Sequence, residues 1–166
     1  MEYLFRRATE TDIIPVFQLY KNRVQWMEEK GLYQWNKTNY LNVYPINYYQ
    51  KQSMYGNLYV LENKLSAKIA GAVVLLHTDE RWNHHSSENA YYIHNLVTDI
   101  YEHNIGKKIL LEIEHLAIMD GKSFVHLDCA ENNAFLNDYY ASMGYLAVDR
   151  CHDGLYVGIT REKKLS

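Results

Sequence analysis

Cysteine and proline are scarce in this 166-residue sequence, at two residues each. Cys129 and Cys151 are too few for a disulfide framework at this size and form no CxxC pair for zinc, so a reducing compartment is expected. With only two prolines and eight glycines, collagen-like and low-complexity classes are excluded. An excess of basic charge is missing too. Seventeen Lys plus Arg against twenty Asp plus Glu give a net charge of −3 with no long basic run, which removes the electrostatic footprint of general nucleic-acid binding. No run of about eighteen apolar residues could span a bilayer, and Met1-Glu2-Tyr3-Leu4-Phe5-Arg6-Arg7 lacks the apolar core of a signal peptide. The chain therefore reads as cytoplasmic, with neither nucleic acid nor membrane as partner. What is present, 48% hydrophobic and 22% charged residues, is an ordinary globular composition of a length that suits one domain over residues 1–166.

Tyr3 to Arg7 alternates as a short strand does, and Ala8-Thr9-Glu10-Thr11-Asp12 supplies helix-capping chemistry ahead of apolar residues at Ile13, Val16, Phe17, Tyr20, Val24 and Met27. A helix over about Asp12 to Lys30 follows, ended by Gly31. Pro45 to Met54 reads as a second helix, and the polar, aromatic stretch before it carries no element. Leu58 to Leu61 and Ile69 to Leu76 form a hairpin, with Ala90 to Thr98 as a third strand after the polar loop His77 to Asn89. Lys107 to Met119 places Ile109, Leu110, Ile113, Leu116 and Ala117 on one helical face. Phe124 to Cys129 is a strand, Asn133 to Met143 a helix, and Tyr145 to Val148 with Tyr156 to Thr160 a closing hairpin. The order β-α-α-β-β-β-α-β-α-β-β is an α+β arrangement around one mixed sheet.

Within that order, Leu127-Asp128-Cys129-Ala130-Glu131-Asn132-Asn133 and its continuation through Leu136, Tyr140 and Gly144-Tyr145 match the pattern L-D-x-x-x-x-N-x-x-L-x-x-x-Y-x-x-x-G-[FY] at every defined position. This strand-to-helix segment resembles the GNAT superfamily of acyl-CoA-dependent N-acyltransferases. Ile93-His94-Asn95-Leu96-Val97, followed by Ile105-Gly106-Lys107-Lys108-Ile109-Leu110, is similar to the superfamily's fourth strand and the start of its cofactor-binding helix. Gln25 to Trp35 is a weaker echo of the helical region that walls the acceptor site. The resemblance implies a GNAT-like three-layer arrangement, a central mixed and mostly antiparallel sheet flanked by helices. It also implies transfer of an acetyl group from acetyl-CoA, as co-substrate, to a primary amine by direct attack in a ternary complex. One departure stands out: where members carry Q/R-x-x-G-x-G/A, this chain has Tyr101-Glu102-His103-Asn104-Ile105-Gly106 in a loop one or two residues short. Asn104 must then take a backbone conformation that glycine reaches more freely, and Glu102 sets a negative charge near a negative ligand. The alternative of a non-catalytic CoA-binding or protein-interaction module with a decayed glycine loop follows from that departure.

The candidate cofactor-binding residues are Leu96, Val97, Thr98, His103, Asn104, Ile105, Gly106, Lys107, Lys108, Asn133 and Tyr140. Lys107 and Lys108 stand in a first helical turn, where the macrodipole disfavours cations by roughly 0.3–1 kcal/mol each; a phosphate cradled by the N–H groups of residues 105 to 108 reverses that sign. Two solvated lysines are the plain alternative. The resemblance makes Tyr140 the general acid at the departing thiolate, the other reading being a core tyrosine with a satisfied hydroxyl. A phenol near pKa 10 is a weaker acid than a thiol near 8.5 by roughly 2 kcal/mol, so its role is a strong hydrogen bond to sulfur rather than full transfer. His94 is the candidate general base, against a structural histidine on a sheet face; Glu29 is a weaker one. Asn133, Leu136 and Tyr140 share one face of their helix, the one free to work, with Phe135, Tyr139 and Met143 as the packed stripe. His84-His85 with Glu88 reads as a solvated loop, with no metal expected, and Ser86 and Ser87 have no nucleophile-elbow setting. Arg161-Glu162-Lys163-Lys164 reads as a solvated tail. The aromatic set Tyr33 to Tyr55 either lines a cleft for a small-molecule or peptide amine or covers the sheet, and a C-terminal sheet edge would support a homodimer.

Overall fold

The computed structural model describes residues 2–85 and 89–166, without the side chains of 83–85. The readings placed on His84, His85, Ser86, Ser87 and Glu88 lie outside the described residues. In chain order the elements are β1 (Tyr3–Arg7), α1 (Ile13–Glu29), α2 (Tyr40–Val43), α3 (Ile46–Met54), β2 (Leu58–Asn63), β3 (Ile69–Leu76), β4 (Ala90–Thr98), α4 (Ile105–Met119), β5 (Phe124–Ala130), α5 (Ala134–Ser142), β6 (Leu146–Asp153) and β7 (Tyr156–Lys164). The strands form one mixed sheet in the order β1-β2-β3-β4-β5-β7-β6. Of the pairings, β4 with β5 is parallel, and β1-β2, β2-β3, β5-β7 and β6-β7 are antiparallel. The α+β class with a mixed, mostly antiparallel sheet is therefore as expected. The short α2 is an addition: Asn39 takes φ 57° and starts a helical turn where aromatic residues carry no legible period.

Two compact units divide the chain, Met1–Leu75 with Asn95–Glu112 and Leu76–His94 with Ile113–Ser166; β4 and α4 each contribute residues to both. In the first unit the sheet is built on β3, whose residues Ala70 to Leu75 are all buried, as a strand covered on both faces requires. Gly71 lies opposite Leu61. A Cβ there would stand 2.6 Å from Ile109 Cδ1, 3.0 Å from Ile105 Cγ2 and 3.0 Å from the Val97 carbonyl oxygen, so the missing side chain lets α4 lie close on the sheet. Before α1, the Asp12 carboxylate accepts the Thr9 N–H at 2.7 Å and pairs with Arg6 at 2.7 Å.

In the second unit, Trp82, Ala90 and Tyr92 form a buried cluster with Leu76 and Phe124. Trp82 stacks on the fully buried His126 ring at 3.9 Å, and His126 Nε2 lies 2.9 Å from Glu162 Oε2. Two expectations are corrected here. Residues 161–164 are not a tail: β7 runs to Lys164, and the buried Arg161 donates to Asn137 Oδ1 and to the Tyr145 carbonyl at 2.9 Å each. Pairing with β5 to the register Phe124↔Lys164 holds these charged residues in the sheet. On α5 the packed and open faces are also exchanged: Tyr140 is buried, whereas Phe135 is 76% exposed.

Candidate functional site

In the first unit, β4 carries Asn95 at φ 54°, a left-handed residue inside a strand. Its side chain donates to the Tyr40 hydroxyl at 2.6 Å and accepts from the Tyr48 hydroxyl at 2.8 Å, and its carbonyl accepts from Tyr20. Asparagine tolerates that backbone region better than most residues, and three tyrosines hold it there. The tyrosines belong to a run of rings: Trp35 on Tyr40 at 4.2 Å, Tyr40 with Tyr44 at 4.9 Å, Tyr44 with Tyr48 at 4.8 Å, and Tyr20 on Tyr49 at 4.5 Å. These rings therefore brace the bent strand from α1, α2 and α3. Beyond the bend, Leu96 is half-buried and Val97 buried, and Thr98 accepts Arg23 Nη2 at 2.9 Å through both its carbonyl and its hydroxyl. Burial of Arg23 pushes its guanidinium below the usual range, opposed by Asp99.

At the entrance to α4, Asn104 takes φ 62°, the conformation expected of a residue standing for glycine. His103 and Lys107 are exposed, Gly106 half-buried and Ile105 buried. Among the described residues no acceptor meets the N–H groups of Ile105, Gly106 and Lys107, so three amides face outward as at any uncapped helix start. The fourth is a correction. The Lys108 N–H donates to the Asn104 carbonyl at 3.1 Å, because the helix already closes its first turn there. Its ammonium sits 5.4 Å over the Tyr3 ring, and Tyr3 donates to Glu102 at 2.6 Å, which gives that carboxylate a partner within the loop. Glu102 and burial together push the Tyr3 phenol up to about 12.

The second unit holds Tyr140, Asn133 and His94. Asn133 caps α5, its Oδ1 accepting the Leu136 N–H at 3.0 Å, so its side-chain oxygen has a structural partner. Tyr140 is only 8% exposed, and its hydroxyl makes no hydrogen bond among the described residues. Burial, with Cys129, Tyr139 and Asp128 nearby, pushes the phenol well above its ordinary value, so it stays protonated throughout the physiological range. Its ring meets Tyr145 edge-on at 6.1 Å, and Tyr145 donates to Glu114 at 2.9 Å. Burial also pushes the Cys129 and Cys151 thiols up to about 11, which leaves both unreactive at neutral pH.

His94 Nε2 lies 2.6 Å from Asp79 Oδ2, both side chains being nearly buried. Asp79 also accepts the Arg81 N–H at 2.9 Å. Arg81 in turn reaches Asp128 at 3.2 Å and Asp153 at 2.7 Å, and Tyr156 donates to Asp128 at 2.5 Å across the side-chain-free Gly158. Asp79, His94 and Asp128 place donor atoms within 4.8 Å of one another. The Arg81 guanidinium and the Tyr156 phenol also bind Asp128, which joins these side chains in an ion-pair network. Asp79, Arg81 and Tyr156 escape a sequence reading, since 79 and 81 stand in a polar loop with no period. Glu29 is exposed and, among the described residues, accepts from Gln25 Nε2 at 3.0 Å.

No protein-family model matches the chain, and no curated protein matches it. Solved structures do. An acetyltransferase of the GNAT family from Listeria monocytogenes superposes with a TM-score of 0.81 at 24% identity, over 98% of this chain and 95% of that one. The PaiA N-acetyltransferase of Thermoplasma acidophilum, in complex with coenzyme A, gives 0.76 at 18% identity over 99% of both. Ard1 of Thermoplasma volcanium gives 0.73 at 12% identity over 100% and 99%. The chain thus has the fold of the GNAT acetyltransferases. No helix among the described residues is long and apolar enough to cross a membrane.

Proposed function

We propose that this chain is an N-acetyltransferase that moves the acetyl group of acetyl-CoA to a primary amine in a ternary complex. The observation that carries the reading is Tyr140: a buried ring at the motif position, its hydroxyl without a hydrogen-bond partner among the described residues. The coenzyme A bound to the PaiA relative of the same fold supports acetyl-CoA as the donor.

The amine arrives as an ammonium and must lose a proton before its lone pair can attack; His94 accepts it. The neutral amine then attacks the thioester carbonyl. Backbone N–H groups of Leu96 to Thr98 stabilise the oxyanion, and the bent strand at Asn95 aims them. As the tetrahedral intermediate collapses, the carbon–sulfur bond breaks and the thiolate takes the second proton released from nitrogen. Tyr140 donates a hydrogen bond to that sulfur as charge develops. Burial makes its full deprotonation costlier than in water, which keeps it a donor. The outward amides of Ile105, Gly106 and Lys107, with Lys107 and Lys108, hold the pyrophosphate, and His103, Asn104 and Asn133 border the ligand. The left-handed Asn104 supports this over a decayed loop, because the backbone still makes the turn that the missing glycines would make.

The test is thiol release from acetyl-CoA across a panel of primary amines. Tyr140→Phe should lower kcat about 10²-fold or more with an unchanged KM for acetyl-CoA. Equal rates for the two proteins would reject the role of Tyr140. Stabilisation by CoA without thiol release on any amine would reject catalysis and favour the binding module.

A further inference from the structure

The acceptor side of the reaction, on the reading just given, depends on which imidazole nitrogen of His94 carries a proton. We infer that Asp79 is the positioning residue that sets it: by accepting the Nε2 hydrogen, Asp79 leaves the Nδ1 lone pair as the base that takes the ammonium proton.

Two observations force the assignment. Asp79 Oδ2 lies 2.6 Å from Nε2, and no hydrogen bond reaches Nδ1 among the described residues. A carboxylate can only accept, so the hydrogen in this short contact belongs to Nε2. The carboxylate is also kept ionised. Burial is the largest single influence and works against its charge, but His94, the Arg81 backbone N–H at 2.9 Å and the Arg81 guanidinium together outweigh it, and the carboxyl is held below its usual range. The side chain of His94 retains 11% exposure.

The titratable and charged groups of the network around the ring come from four segments. Asp79 and Arg81 lie between β3 and β4, Asp128 on β5, Asp153 with Cys151 on β6, and Tyr156 on β7. Arg81 pairs with Asp128 and Asp153, whereas Asp79 is the carboxylate in direct contact with the imidazole. In the step itself an N–H bond of the ammonium breaks, an Nδ1–H bond forms, and the positive charge moves to an imidazolium paired with Asp79. The proton then leaves to solvent, and the second proton, from nitrogen, ends on the CoA sulfur.

Long-range proton–nitrogen correlation on the full chain labelled with ¹⁵N-histidine reads the tautomer directly, with His94→Gln identifying the signal. The neutral His94 ring should carry its proton on Nε2; a proton on Nδ1 overturns the inference with no enzyme assay involved. In thiol-release assays, Asp79→Asn should lower kcat at least about 10-fold and leave the KM for acetyl-CoA unchanged, because the ring loses the acceptor that fixes its tautomer. Asp79→Glu should recover part of the rate. A wild-type chain that acetylates an amine while Asp79→Asn keeps its rate overturns the inference and leaves the enzyme reading standing. A wild-type chain with no thiol release on any amine overturns both. Should Asp79→Asn fail to fold, the wild-type tautomer decides.

Discussion

Replacing Gly71 with alanine tests how α4 is seated against β3. The added methyl would stand 2.6 Å from Ile109 Cδ1 and 3.0 Å from both Ile105 Cγ2 and the Val97 carbonyl oxygen. Carbon contacts are relaxed at about 3.5–4.0 Å, so Ile109 must retreat by roughly 1 Å. A rotamer change could move Cδ1, but it cannot move the Val97 oxygen, which is backbone. Overpacking of this kind costs about 1–3 kcal/mol, and the rigid neighbour places Gly71→Ala in the upper half of that range. For a chain of this length, about 2–4 °C in Tm per kcal/mol gives a drop of roughly 4–12 °C by circular dichroism. Ile109→Val removes the clashing atom at a cost of about 0.5–1.5 kcal/mol alone. In the double variant the two costs should fall short of their sum by at least about 0.5 kcal/mol. A single variant within about 0.5 kcal/mol of wild type, or strict additivity, would refute the reasoning.

Other consequences concern the two loops that position charges. At Asn104, φ 62° makes valine costly by about 1–2 kcal/mol while glycine is neutral or better, which urea melts of the two variants check; equal stability would show that the turn relaxes. At Asp12, burial raises the carboxyl, but the Arg6 guanidinium and the Thr9 N–H prevail and hold it below the usual range. A carboxylate depressed on folding adds stability that is complete above its unfolded value, about 3.9, and is lost as pH falls through the folded value. Asp12→Asn should therefore flatten the decline in stability below about pH 4, measured by melts at pH 7 and pH 3, and an unchanged decline would exclude Asp12 as its source.

The parts that were legible are those whose partners lie within a helical turn or one strand pair. Ile109, Ile113 and Ala117 repeat at helical spacing and are buried; Ala90–Thr98 begins and ends where its strand-like run does. Asn104 was legible for another reason: a turn that needs a positive φ leaves few residue types to choose from. The α5 face was misread because Phe135 is the more apolar side chain, yet Tyr140 is the one buried, beside Tyr145. Apolarity ranks candidates for burial without saying which side of a nine-residue helix the sheet will cover. The end of β7 was misread because its charges looked solvated, whereas register places Arg161 opposite Leu127, with Asn137 in reach. The His94 network is the extreme case. Asp79, Asp128, Asp153 and Tyr156 come from four segments 15 to 62 residues away, and no local period can carry an arrangement that exists only after the strands have paired. What the sequence did hold was a histidine at the centre of a buried strand, a place where an imidazole needs a hydrogen-bond partner for each buried ring nitrogen. That requirement, applied to His94, calls for a partner from outside its own strand, and the polar loop ahead of β4 is the nearest segment able to supply one.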